Sequence, residues 1–209
     1  MIPAPNSLCF SQLLPARQPR LWQELATALA QHGLTPQLLP NTRDVWAVDY
    51  MPVQVAATDF VQFCYEPGYL LPYAKHRTTI TDPAATGLPQ LLPSLLSSSL
   101  RLDGGNVVRA GGLILVCDKV LAENPTVAEQ QVRHQLRDEL QADQLLLLPT
   151  AQSDIMGHAD GMVYLLDEHT ALVKSGRAKG YWRSRNADSL GKLPAMAYYA
   201  GQQLYAGPL

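Results

Sequence analysis

The stretch Ser98-Ser99-Leu100-Arg101-Leu102-Asp103-Gly104-Gly105-Asn106-Val107-Val108, followed by Gly111-Gly112 and Leu113-Ile114-Leu115-Val116, decides the fold class. Short apolar runs bounded by glycine read as strands, over Ser98 to Leu102, Val107-Val108 and Leu113 to Val116. Gly111-Gly112 turns the chain between the last two. Thr126 and Glu129 then stand at capping-box spacing, and Val127, Val132, Leu136 and Leu140 continue as one apolar helical face. Leu145 to Leu148 completes the series as a buried strand. The order strand, strand, helix, strand, in units of roughly 60 residues, points to an α/β protein assembled from repeated supersecondary units.

The pattern extends in both directions. Upstream, Pro19 to His32 reads as an amphipathic helix with Leu21, Trp22, Leu25 and Leu29 on one side and Gly33 as its stop. Pro36 to Leu39 is a short strand, and Asn41-Thr42 a turn. Val53 to Ala57 and Phe60 to Tyr65 make a strand pair joined at Thr58-Asp59. Five prolines between Glu66 and Pro93 assign that stretch to loop, placed beside the functional site. Downstream, Met162 to Leu166 and Ala171 to Lys174 form a hairpin around Asp167-Glu168.

The 209 residues suffice for one sizeable core, and residues 1–209 read as a single domain. Apolar residues make up 47% of the chain and charged ones 16%, which excludes wholesale disorder. The net charge of -2 gives no reason to expect nucleic acid or an anionic membrane as partner. Three cysteines without paired spacing argue against a disulfide framework and for a reducing, cytoplasmic setting. No apolar run approaches the roughly 20 residues of a membrane span, and Met1 to Asn6 lacks a signal-peptide pattern. The charge is uneven: from Lys174 onward six basic residues face one acidic, Asp188. Residues 175–209 therefore read as an atypical basic tail with little amphipathic pattern.

Three stretches carry chemistry: Trp46-Ala47-Val48-Asp49-Tyr50-Met51-Pro52, Asp103-Gly104-Gly105-Asn106 and Gly157-His158-Ala159-Asp160-Gly161. Each sets a carboxylate or imidazole in a turn-forming context. Taken singly, an aspartate beside glycine is turn chemistry, Trp46 a packing residue or pocket wall, and His158 a satisfied loop histidine. Together they describe acids and a histidine suited to a planar cation, above all a guanidinium, which carboxylates grip through paired hydrogen bonds.

In their order and context these stretches resemble the signatures of agmatine deiminases and the related bacterial peptidyl-arginine deiminases, members of the pentein superfamily. The resemblance runs from about Leu34 to Lys174. It implies a pentein-type α/β propeller of ββαβ units, five in the family and incomplete at the C-terminus here. It implies hydrolysis of a guanidinium C–N bond with release of ammonia, without metal or organic cofactor. The partner would be a small guanidino compound or an arginine side chain. By the same resemblance Asp49 and Asp160 would clamp the guanidinium nitrogens, with Trp46, Gly104 and Gly105 lining the substrate. His158 would be the general acid and base, Asp103 would orient either His158 or the guanidinium, and a cysteine thiolate would attack the central carbon.

Two departures stand out. Val48 occupies the position where the family pattern carries arginine before the aspartate. The glycine-rich segment with a His-Cys pair, which bears the family's nucleophile, has no counterpart before Leu209. Cys9, Cys64 and Cys117 are the only thiols, and the last two fall within apolar strand runs where cysteine is an inert small hydrophobe. The expectation is a shortened relative, inactive for lack of the thiol and, with a repeat missing, prone to self-association as a homo-oligomer. The alternatives are a non-catalytic guanidinium-binding module and a metal-dependent hydrolase using His158, Asp160, Asp49 and Asp103.

Overall fold

Leu8–Ser11 (β1) pairs in parallel with Pro36–Leu39 (β2), a connection that needs a crossover. The crossover is the short helix Leu14–Arg17 (α1) and the helix Pro19–Gln31 (α2). The computed structural model describes residues 8–92, 94–150, 154–165, 170–174, 195–200 and 203–207. Proline opens α2, where its missing N–H costs nothing. Gly33 stops it in the left-handed region at φ 68°, its N–H donating to the Ala30 carbonyl at 3.0 Å. Trp22 of α2 meets Phe10 of β1 edge-on, ring centroids 5.9 Å apart. β1, only four residues long, is too short to show a pattern and was not anticipated.

These elements belong to the first of two compact units, Met1–Ser99 and Leu100–Leu209. After a turn at Asn41, itself at φ 57°, comes the single helical turn Ala47–Tyr50 (α3). Val53–Gln54 (β3) runs antiparallel to Asp59–Cys64 (β4), and Ser94–Arg101 (β5) is the third strand of that sheet. β3 is shorter than expected because the N–H groups of Val55 and Ala56 both turn to the Asp59 carbonyl. The proline-rich stretch is mainly loop, interrupted by the helix Ala74–Arg77 (α4) and two 3-10 turns. Leu39, Ala47, Tyr50, Tyr65 and Leu88 form this unit's core.

In the second unit Val107–Ala110 (β6) and Leu113–Cys117 (β7) make the expected hairpin, with Gly111 at φ 55° in its turn. All five residues of β7 are buried. Two helices follow, Lys119–Glu123 (α5) and Glu129–Glu139 (α6), then Gln144–Leu148 (β8) parallel to β7. This is the strand, strand, helix, strand order read from the sequence. Val120, Val132, Leu136 and Leu140 bury completely between helices and strands.

The capping box is not formed. The helix starts at Glu129 with Ala128 as its cap, because residues 124–127 are spent on a turn in which the Val127 N–H bonds the Asn124 carbonyl. Val163–Leu165 (β9) pairs antiparallel with Thr170–Lys174 (β10), and the expected Asp167-Glu168 turn lies outside the described residues. β10 pairs in parallel with Ala195–Ala200 (β11), and β11 antiparallel with Gln203–Gly207 (β12). Two strands thus stand within the stretch read as a patternless tail. Alanine and glycine dominate them and carry little hydrophobic contrast, so no alternation is visible. Among the described residues no helix is long and apolar enough to cross a membrane.

Candidate functional site

The Asp103 loop is stapled at both ends by asparagine amides. On one side the Arg101 N–H donates to Asn124 Oδ1 at 2.9 Å, while Asn124 Nδ2 donates to the carbonyls of Arg101 at 3.0 Å and Val120 at 2.8 Å. On the other, the Cys117 N–H donates to Asn106 Oδ1 at 2.7 Å. Between these anchors Gly104–Asn106 make one 3-10 turn, with the Asn106 N–H on the Asp103 carbonyl at 2.9 Å. Gly104, Gly105 and Asn106 are all buried.

Asp103 is 2% exposed. Its Oδ2 accepts from Lys119 Nζ at 2.9 Å and lies 2.9 Å from Nε2 of His158, also buried. Lys119 Nζ reaches Glu123 Oε1 as well, at 3.2 Å. Two cations or cation-capable groups thus meet on a single carboxylate oxygen.

His158 is delivered by an equally constrained loop. Asp154 Oδ1 accepts from the N–H groups of Met156 and Gly157, each at 3.0 Å. Gly157 sits at φ 62°, and a Cβ there would stand 2.9 Å from Lys119 Cδ and 3.0 Å from Thr150 Cγ2. Glycine is therefore required twice, for its dihedral and for its missing side chain. Thr150 is itself fixed by Asp118 Oδ1, which accepts its N–H at 2.8 Å and its hydroxyl at 2.9 Å. After His158 a single 3-10 turn, Ala159–Gly161, presents Asp160 at the surface.

Charge separates the two acids. Burial pushes the Asp103 carboxyl upward, but hydrogen bonds from His158 and Lys119 and their charges outweigh it, leaving it below the ordinary carboxylate range. The Asp160 carboxyl moves the other way: partial desolvation raises it, His158 and the Gly161 N–H oppose this, and Asp154 adds to the rise. Asp160, unlike Asp103, would therefore gain from a neutralising cation.

A group held below its unfolded pKa adds stability above that value, about 3.9 for aspartate, and loses it as pH falls through the folded value. Thermal unfolding of the wild type and Asp103→Asn should accordingly differ most near neutrality. The difference should shrink on acidification below about pH 4. A gap that stays constant into strong acid would contradict the assigned ionisation.

Cys117 is the one cysteine of the second unit, and it is not activated. Cys117 is fully buried, its thiol 3.8 Å from Met162 Sδ, and burial followed by the Asp118 charge pushes its pKa up to about 12. Burial also raises the Cys9 thiol. Cys64 lies half-buried in β4.

Asp103, Gly104, Gly105, His158 and Asp160 all fall in the second unit, where Asp103 and His158 are in direct contact. Asp49 and Trp46 belong to the first unit. Asp49 is buried on α3, and Trp46, capping that turn with its N–H on Asp44 Oδ1 at 3.0 Å, is 66% exposed. Trp46 is thus no core residue. Val48 is exposed beside it. The sequence reading missed Lys119, Asn124 and Asp154. Lysine after a buried strand carries no motif of its own, and only the Asp-x-x-Gly spacing of Asp154 and Gly157 hinted at a turn. Among the described residues no group of three or more His, Cys, Asp or Glu is placed to hold a metal ion.

A family model described as Porphyromonas-type peptidyl-arginine deiminase matches residues 16–205, well beyond the Leu34 to Lys174 stretch recognised from the motifs. No curated protein matches the sequence. Among solved structures the fold is similar to that of the C. jejuni agmatine deiminase, at 14% identity and TM-score 0.61, covering 83% of this chain and 62% of that one. It is also similar to the agmatine deiminase of Enterococcus faecalis, at 16% identity and TM-score 0.55, covering 85% and 50%. DDAH from Pseudomonas aeruginosa, solved with citrulline, matches at 13% identity and TM-score 0.53, covering 83% and 67%. The α/β fold is that of the deiminases. The chain spans between 49% and 62% of the length of the deiminases it resembles.

Proposed function

The chain belongs to the Porphyromonas-type peptidyl-arginine deiminase family, and from that premise we propose that its site binds a guanidinium group for deiminase chemistry. The observation that carries this reading is the contact between Asp103 and His158, beside an acid, Asp160, whose carboxyl is raised by desolvation. A flat cation supplies what Asp160 lacks, through charge-assisted hydrogen bonds to its two oxygens. Asp49, in the first of the three motifs, is assigned as a second carboxylate for the cation, and Trp46 as an aromatic wall for it. The cation is agmatine, free arginine or a peptide arginine.

The reaction proceeds in two halves. A thiolate adds to the guanidinium carbon. His158 protonates the departing nitrogen, which leaves as ammonia and yields a thiouronium. His158 then takes a proton from water, whose oxygen forms the new C–O bond as the thiolate leaves, and the product carries a urea group. Asp103 holds the imidazole for both transfers. Cys117, fully buried and with its thiol pKa raised to about 12, is not assigned as that thiolate, and the proposal is that the chain binds the cation without turning it over. A cytoplasmic setting is part of the same proposal, since three cysteines without paired spacing suit a reducing compartment.

Titration calorimetry with agmatine, arginine and an arginyl peptide checks this directly. A variant with all three cysteines replaced by serine should bind as the wild type does and release no ammonia. Absence of binding to all three ligands would refute the guanidinium site, and ammonia release from the cysteine-free variant would refute the thiol mechanism.

A further inference from the structure

Lys119 is 12% exposed, and lysine is rarely buried so far without dedicated partners. Its ammonium bonds Asp103 Oδ2 at 2.9 Å, the same oxygen that lies 2.9 Å from His158 Nε2. Glu123, one helical turn on, holds it from the other side at 3.2 Å. Its aliphatic stem forms the surface against which Gly157, the residue before His158, is packed without space for a Cβ. Lys119 therefore touches both the carboxylate that orients the histidine and the backbone that delivers it.

We infer that Lys119 is a positioning residue of this site, holding Asp103 in the orientation that receives His158 and sharing that carboxylate oxygen with the imidazole. The inference rests on the deiminase reading only for the use to which His158 is put; the triad itself stands on geometry. The charged groups around the pair come from several elements. Asp103 follows β5, Asp118 and the Cys117 thiol stand at the end of β7, Lys119 and Glu123 lie on α5, and Asp154 and Asp160 flank the histidine itself.

With Lys119 in place, the negative charge of Asp103 is divided between an ammonium and the imidazole, and a like charge opposes the imidazolium. Removing the ammonium leaves the carboxylate to His158 alone, which favours the protonated ring. Removing Glu123 acts in the opposite direction, because one anion is lost while the ammonium stays on Asp103.

The test is a pH titration of the His158 imidazole by nitrogen-15 NMR in the 209-residue chain, with Lys119→Met, Lys119→Arg and Glu123→Gln. The midpoint should rise in Lys119→Met, fall in Glu123→Gln, and stay with the wild type in Lys119→Arg. A general loosening of the fold would not move the two charge-removing variants in opposite directions. Should Lys119→Met fail to fold, Lys119→Gln takes its place, and Glu123→Gln decides independently. An unmoved or lowered midpoint on loss of the lysine charge, or an unmoved or raised one in Glu123→Gln, overturns the inference. The readout needs no substrate, so a chain that binds no guanidine while showing both displacements would refute the proposed function and leave the role of Lys119 intact.

Discussion

Asp103→Ala is expected to lower the free energy of unfolding by about 3–5 kcal/mol, the cost of removing one partner from a buried charged cluster. The carboxylate is 2% exposed and answers both Lys119 and His158. Without it the ammonium keeps Glu123 but loses its better-buried partner, and the imidazole loses its acceptor. The amide staples at Arg101 and Cys117 would survive, since they use Asn124 and Asn106 rather than the aspartate. The loss should therefore concentrate on the Asp103–Lys119–His158 cluster while the surrounding strands persist. Urea denaturation, followed by circular dichroism, measures it. A loss under about 1 kcal/mol would mean that the cluster is solvated and contributes as a surface ion pair does.

Asp160→Ala should behave in the opposite way, with stability nearly unchanged and ligand binding greatly weakened. The residue is exposed, and surface substitutions outside special features stay within about 0.5 kcal/mol. A hydrogen bond to a charged group contributes about 1.5–3 kcal/mol, so affinity for agmatine should fall roughly 10-fold to 150-fold. Asp160→Asn, which keeps a hydrogen-bonding oxygen but no charge, should fall between. Calorimetry on both variants beside the wild type reads the effect. Equal affinity in all three would remove Asp160 from the site.

The two variants divide the labour of the acids. Asp103, held below the ordinary carboxylate range by His158 and Lys119, is a structural anion whose partners are internal. Asp160, raised by desolvation, is an anion whose partner is to be supplied from outside. Two carboxylates two residues and fifty-five residues from one histidine thus acquire different tasks from their surroundings alone.

Much of this was legible in the sequence wherever side-chain contrast was high. The helix from Pro19 closes at Gly33, and β2 has the bounds expected of it, because apolar periodicity and a left-handed glycine are strong local signals. The hairpin of β6 and β7 and the buried strand β8 were equally plain, since Leu113–Cys117 and Gln144–Leu148 are almost wholly apolar, whereas the parallel pairing of β8 came only with the fold. β11 and β12 escaped because Ala-Met-Ala-Tyr-Tyr-Ala gives no alternation to count. The capping box at Thr126 misled because spacing alone cannot say whether the chain is still completing a turn after α5.

The site shows the same division. Asp103, His158 and Asp160 announced themselves through their glycines, of which Gly157 is required both for its positive φ and for its missing Cβ. Lys119 did not, because its role arises from a contact with a residue sixteen positions earlier, on another element. Long-range charge pairing leaves no trace in local sequence. A partly buried lysine at the start of a five-residue helix looks like any surface lysine until the fold is known.

The most direct measurement is a crystal structure of the chain grown with agmatine at saturating concentration. The account predicts the guanidinium at Asp160, its nitrogens within hydrogen-bond distance of that carboxylate and its central carbon turned toward the His158 side, with the Asp103–His158 contact retained. Agmatine bound elsewhere, or a second unit whose Asp160 remains unoccupied while the ligand saturates the protein in solution, would contradict it.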